Sequence, residues 1–306
     1  MTVRSLALGL ATGLASLGLF AQPAAALTFS FSTIQGDTLS SDQASAFQTA
    51  ANAWSTVLSD PITVSFQIGF RSLGNNILGG STPALLAVNA NLVKTRLAAD
   101  ATSANDAIAV ASLPTYGANA TLALTNAQAA AIGIAAATND GTIEFSSNYT
   151  FSTSRTAQGT IAPGTYDLIG IAEHEIGHAL GFLSGLDNPG TPATILDQFR
   201  YLATGVRDTT LVAGAYFSLN GGTTSIAGFS PGPNDTYQAS HWLLGTGALL
   251  DPAVAAGVVQ NIAALDLLGL DVIGYDLVTP VGEPASLLML AMGLLGVAAL
   301  RRHAAR

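Results

Sequence analysis

The chain has 306 residues, 49% hydrophobic and only 9% charged, with a formal net charge of −9 and no cysteine. This composition excludes an intrinsically disordered protein, which couples low hydrophobicity to high charge, and leaves no residue for disulfide or thiol chemistry. The acidic balance repels phosphate backbones, so nucleic acid is not an expected partner.

Residues 1–26 read as a secretory signal peptide: Arg4, an apolar run from Leu6 to Phe20, then Ala24-Ala25-Ala26, with cleavage expected after Ala26. Between Leu27 and Pro280, six basic residues (Arg71, Lys94, Arg96, Arg155, Arg200 and Arg207) stand against eighteen acidic ones, a net of −12.

Leu27 to Phe31 alternates apolar and polar side chains and predicts a half-buried strand. Ser41 and Asp42 can cap a helix running to about Leu58, with Phe47, Ala50, Ala51 and Trp54 on one face. Ile62 to Phe70 alternates as a second strand; Leu85 to Ala99 predicts a helix, Ala107 to Leu113 a short strand, and Thr142 to Phe151 a strand at a sheet edge. The central helix is expected over Tyr166 to Phe182, with Asp167 as its N-cap and Glu173 facing solvent.

After Phe182 the texture changes to Gly, Pro, Asn and Asp clusters at Gly185–Pro192 and Asn220–Asp235. A short helix is expected near Thr194–Leu202, with Asp197 and Arg200 as a surface pair, and a last helix over Gln260–Leu268. Trp54, Trp242 and the phenylalanines read as core, and Asp140, Asp187 and Asp235 show no calcium-ligand spacing. This order predicts an α+β protein of two lobes around a cleft, residues 27–183 and 184–279.

The central helix carries the chemistry. His174-Glu175-Ile176-Gly177-His178 is the HExxH pattern. Residues four apart share one helix face, so two imidazoles can reach one Zn²⁺ while Glu175 faces a water on the metal and serves as general base. His and Glu each occur four times, so chance alone produces this pattern in fewer than about one such chain in a thousand. Gly170 and Gly177 each cost about 1 kcal/mol against Ala inside a helix; Gly177 is expected to let the helix back lie against a strand, and Gly181 to end it as a left-handed cap.

His174-Glu175-Ile176-Gly177-His178-Ala179-Leu180-Gly181 resembles the metzincin clan of zinc peptidases, whose pattern continues HExxHxxGxxH. Ser184 stands at the clan's third-ligand position, so that ligand must come from elsewhere. His303 and Glu283 lie in the C-terminal tail, which leaves His241 or an aspartate, Asp187 being nearest. His241 lies in Ser240-His241-Trp242, with 62 residues between it and His178, and this long insertion resembles the leishmanolysin branch.

That resemblance implies a third zinc ligand at His241 and a metzincin-like fold: a twisted mixed sheet with helices above the zinc, and a small irregular C-terminal lobe below. It places Leu249-Leu250-Asp251-Pro252 at the methionine turn under the zinc, with Leu250 as the equivalent of the methionine. Met1, Met289 and Met292 all lie in the terminal segments.

Residues 280–306 hold Glu283-Pro284, an apolar run from Ser286 to Leu300, and Arg301-Arg302. The layout resembles the bacterial PEP-CTERM sorting signal, with Gly282 in place of the first proline, and implies an exosortase-type partner; a plain tail anchor is the alternative. The expected product is an exported or surface-sorted zinc endopeptidase acting on protein or peptide substrates, touching membrane only through this segment. The alternatives are an inactive metal-binding surface module and a zinc hydrolase of another amide bond.

Overall fold

The computed structural model describes residues 26–278 apart from 136, 235 and 236. The expected sorting segment, His303 and nearly all of the expected signal peptide lie outside the described residues. Among the described residues no helix is long and apolar enough to cross a membrane.

The protein is α+β. Strand β1 (Thr28–Thr33) leads into helix α1 (Ser41–Val57) and strand β2 (Thr63–Arg71), close to the sequence expectation. The cap of α1 is Ser40, one residue earlier than expected: its hydroxyl accepts from Gln43 N while the Gln43 side chain returns to Ser40 N. Strands β3 (Gly79–Pro83) and β4 (Leu85–Asn89) follow, then helix α2 (Ala90–Asp100).

Here the sequence reading is corrected twice. The helix expected from Leu85 starts only at Ala90, because Asn89 Oδ1 caps Asn91 N and Leu92 N and frees the preceding residues for β4. The strand expected at Ala107–Leu113 is instead helix α3 (Ala104–Ser112), started by a Ser103–Asp106 capping box that outweighs the alternating apolar pattern. Strand β5 (Thr121–Thr125), paired with β4, and helix α4 (Asn126–Ala131) have no periodic signature.

The strand expected over Thr142–Phe151 divides into β6 (Gly141–Ser146) and the short β7 (Phe151–Ser152), which pairs with β8 (Tyr166–Asp167). Nor is β6 an edge. The main sheet runs β1-β2-β6-β3, with β1, β2 and β6 parallel and β3 antiparallel on the outside. Phe47, Phe66 and Phe145 fill the space between this sheet and α1.

Helix α5 (Leu168–Ala179) lies beside α1 and below β3. Trp54 Nε1 of α1 donates to Glu173 O at 2.9 Å. A Cβ at Gly177 would sit 2.9 Å from Leu250 Cδ2 and 3.4 Å from Trp54 Cζ2, so this glycine admits a helix and a loop, not the expected strand. Gly181, at φ +114°, turns the chain away from the helix as expected.

Beyond α5 the chain is loops, 3₁₀ turns and a small sheet of β9 (Arg200–Ala203), β10 (Val206–Arg207), β11 (Tyr216–Phe217) and β12 (Ala227–Gly228), ordered β10-β9-β11-β12. The helix expected near Thr194 is a 3₁₀ turn, Leu196–Phe199, running into β9. Helix α6 (Ala264–Val272) starts later than expected, where the Asp266 carboxylate accepts from Ala263 N.

Candidate metal centre and cleft

Helix α5 presents His174 and His178 on one face, and the loop after the small sheet brings His241 to them across the sequence. The three Nε2 atoms form a near-equilateral triangle: 3.0 Å between His174 and His178, 3.2 Å between His174 and His241, and 3.1 Å between His178 and His241. Each Nδ1 faces a backbone carbonyl: His174 to Leu249 O at 2.8 Å, His178 to Phe182 O at 2.7 Å and His241 to Gln238 O at 3.1 Å. A carbonyl only accepts, so each Nδ1 carries the proton and each Nε2 holds a lone pair.

Burial is the first cause of the rings' low basicity. It lowers His174, drives His178 well below the usual imidazole range with help from its two neighbours, and brings His241 to about 3. All three are neutral at pH 7. Three neutral acceptors converging at this distance have no hydrogen bond to share and repel one another unless a cation sits among them. Nitrogens held 2.0–2.1 Å from a tetrahedral zinc lie about 3.3 Å apart, so the residues fit a metal ion with only a slight opening of the triangle. Among the described residues this is the one group of three or more His, Cys, Asp or Glu side chains gathered tightly enough to hold a metal.

Glu175 is 6% exposed and points to the opposite flank, beneath β3. Burial pushes its carboxyl up to about 8, opposed by a hydrogen bond from the Ser81 backbone; a cation nearby would pull it down. Ser146 N bonds Leu78 O, and the antiparallel register then turns Leu78, Gly80 and Thr82 toward β6. The backbone groups of Gly79 and Ser81 therefore face outward, over Glu175. A Cβ at Gly79 would lie 3.2 Å from Glu175 Oε1.

These groups line a cleft of about 1000 Å³. Its floor holds His174, Glu175, His178 and His241; its walls are β3, Tyr149 and Tyr166 on one side and Pro252, Val254 and Val258 on another. Tyr149 and Tyr166 pack edge to face at 5.4 Å, and Tyr149 Oη accepts from Asn76 N at 2.9 Å.

Of the sequence candidates, His174, His178, His241 and Glu175 come together. Leu250 is fully buried beneath α5, and its carbonyl accepts from Trp242 N at 3.0 Å. Asp187, the alternative third ligand, is outside the histidine group; both of its oxygens accept from the Ala239–Ser240 segment.

Several polar assignments are corrected. Glu173 is 3% exposed, not solvent-facing, and lies 3.6 Å from Arg155. Asp167 heads α5 but makes no side-chain cap, because Arg155 holds its carboxylate at 2.6 Å. Asp197 and Arg200 are neither exposed nor paired: Asp197 accepts from Ser184, Gly185 and Thr194, while Arg200 pairs with Asp208 at 2.8 Å.

The sequence reading missed the contribution of β3 and the three carbonyls that fix the histidine tautomers. Gly79-Gly80 was the available sign, since paired glycines in a strand mark a close approach; the carbonyls leave no side-chain signal at all. No protein-family model matches the chain, and no curated protein matches its sequence.

Proposed function

We propose that the protein is an exported, zinc-dependent endopeptidase with a metzincin-like two-lobed fold. The observation that carries this reading is the convergence of three neutral imidazole Nε2 lone pairs at 3.0–3.2 Å, with Glu175 beside them on the floor of an open cleft. Three imidazoles suit zinc among the common divalent metals, and three protein ligands leave a position free for chemistry. His174, His178 and His241 would hold the ion, which when bound supplies a Lewis acid that acidifies water and polarises a carbonyl.

The chain's own residues do the rest. The outward backbone groups of Gly79 and Ser81 can pair with an extended peptide laid along β3, positioning its scissile carbonyl above the α5 histidines. Glu175 takes a proton from the water that attacks this carbonyl and delivers it to the amide nitrogen as the carbon–nitrogen bond breaks. The backbone hydrogen bond from Ser81 orients the carboxylate for both transfers. An open groove flanked by an edge strand favours a peptide chain over a compact amide substrate.

Glu175→Gln tests the reading. It should keep wild-type zinc content and lose at least about 10³-fold in casein or gelatin hydrolysis, since Gln cannot accept the proton. Unchanged hydrolysis, or equal loss of metal and activity, would remove Glu175 from this role. Export rests on the segments at residues 1–26 and 280–306; mass spectrometry of the native product should find a mature N-terminus at Leu27, and an intact cytosolic chain would refute it.

A further inference from the structure

In the sequence, Asp187 reads as a rival ligand to His241; its geometry gives it a different task. Its Oδ1 accepts from Ala239 N at 2.6 Å, and its Oδ2 accepts from Ser240 N at 3.0 Å and Ser240 Oγ at 2.5 Å. Both oxygens thus grip the two residues immediately before His241. Asp187 itself closes a 3₁₀ turn, Gly185–Asp187, a few residues past the Gly181 cap of α5. Its own place is therefore fixed relative to His174 and His178.

A second connection runs in parallel. Ser184 stands where the HExxHxxGxxH pattern has its third histidine, and its backbone N–H donates to Ser240 Oγ at 2.8 Å. Ser184 Oγ in turn donates to the buried Asp197 carboxylate at 2.6 Å. The position that lost the ligand is thus bonded to the residue that precedes the replacement ligand. These bonds tie the residues just before His241 directly to the segment that follows α5, while Trp242, just after it, is held separately by donating to Leu250 O at 3.0 Å. His241 itself is held by its Nδ1 bond to Gln238 O at 3.1 Å and by its carbonyl, which accepts from Ser230 N at 3.0 Å.

We propose that Asp187 is the positioning residue of the metal centre: a carboxylate clamp, seconded by Ser184 and Ser240, that holds the His241 segment at the ligand distance from α5. It acts on metal affinity through backbone and hydroxyl hydrogen bonds and does not touch the ion. The inference rests on the zinc reading above, so its test separates the two.

Wild-type protein is titrated first with Zn²⁺ against a chelating indicator; failure of the wild type to bind zinc would sink the zinc reading. Asp187→Ala should then bind zinc roughly tenfold to a hundredfold more weakly, the usual effect of losing a group that orients a ligand. At saturation it should still take one metal per chain, and its Co²⁺ form should keep the wild-type visible spectrum, because the three imidazoles are intact. His241→Ala should lose both the stoichiometry and the spectrum.

Hydrogen exchange without added metal reads the clamp directly: in Asp187→Ala the amides of Ala239 and Ser240 should lose protection while those of α5 keep theirs. Asp187→Asn retains one acceptor oxygen and should give a smaller loss of affinity, and it carries the test should the Ala variant not fold. Wild-type affinity in both variants, or unchanged protection at Ala239 and Ser240, would overturn the clamp. So would loss of the cobalt spectrum in Asp187→Ala or Asp187→Asn with retention in His241→Ala, which would make Asp187 a ligand.

Discussion

The two flanks of the cleft are held together by different physics. On the side of the main sheet, α1 and β2 and β6 are joined by backbone ladders and by an aromatic cluster in which Phe145 lies 4.9 Å from Phe47 and 5.4 Å from Phe70. On the side beyond α5, regular structure is sparse, and buried aspartates take over the satisfaction of backbone N–H groups. Asp266 accepts from Trp242 Nε1, Leu249 N, Leu250 N and Ala263 N; Asp197 gathers Ser184, Gly185 and Thr194; Asp251 gathers Gly245, Thr246 and Gly247; Asp208 takes Thr210 N, Val212 N and Arg200.

The contrast explains the acidic composition. Asp60, Asp106, Asp140, Asp167, Asp197, Asp208, Asp251, Asp266, Asp271, Glu173 and Glu175 are all buried, so more than half of the acids between Leu27 and Pro280 are internal. Where a chain must order long loops without disulfides, a carboxylate that accepts several N–H groups replaces the missing ladder. The negative charge is therefore in large part a folding device.

The sharpest way to break the comparison is to remove one hub from each side. Asp266→Ala leaves four donors without an acceptor and should destabilise the protein by at least about 4 kcal/mol in denaturant unfolding. It should also weaken zinc retention, because Leu249 O, in the same turn, accepts the hydrogen bond of His174 Nδ1–H. Phe145→Ala should cost about 3–4 kcal/mol as a cavity mutation and leave zinc retention untouched. If the two variants lose metal equally, the division into two flanks fails.

A smaller effect comes from carboxyls that are buried, or in Asp100 half-buried, without a hub's set of donors. Burial, reinforced by neighbouring carboxylates, raises Asp60 to about 7 and Asp100 and Asp271 to about 6. Folded pKa values above the unfolded ones mean that the native state holds protons the unfolded chain releases. Their stabilisation is complete below about pH 4 and is lost as the pH rises through 6 to 7. Asp60→Asn can still accept from Asp276 N, so it should flatten that decline and stabilise the protein at pH 8 by on the order of 2 kcal/mol. A stability advantage of Asp60→Asn over the wild type that does not grow between pH 4 and pH 8 would contradict this.

Least disruptive to the fold is Gly79→Ala. It should change stability by less than about 1 kcal/mol yet lower kcat about tenfold, because the new methyl presses on the Glu175 carboxylate. Unaltered kcat would show that β3 and Glu175 are not coupled.

Legibility in the sequence follows the same divide. Alternation at Leu27–Phe31 and Ile62–Phe70 and the apolar stripe through Phe47 and Trp54 gave β1, β2 and α1, because these elements bury one face. Leu85–Asn89 was misread because its apolar run flows into α2 with no break except Asn89, and α3 because Ala-Ile-Ala-Val mimics alternation. His174, Glu175 and His178 were legible from local helix geometry alone. Elimination reached His241 or an aspartate, and only the resemblance chose His241, since nothing local sets apart a histidine 63 positions away. The aspartate hubs were not legible: in a Gly- and Asn-rich segment, an Asp that gathers distant N–H groups looks the same as one in an exposed turn.

The central claim is that His174, His178 and His241 together hold a zinc ion. Anomalous diffraction at the zinc edge from crystals of the full chain tests it most directly. The account predicts one peak bonded to the three Nε2 atoms at about 2.0–2.1 Å, with no bond to Asp187. A map without a peak at this triangle after growth in zinc, or a peak that binds Asp187 and leaves His241 free, would contradict it.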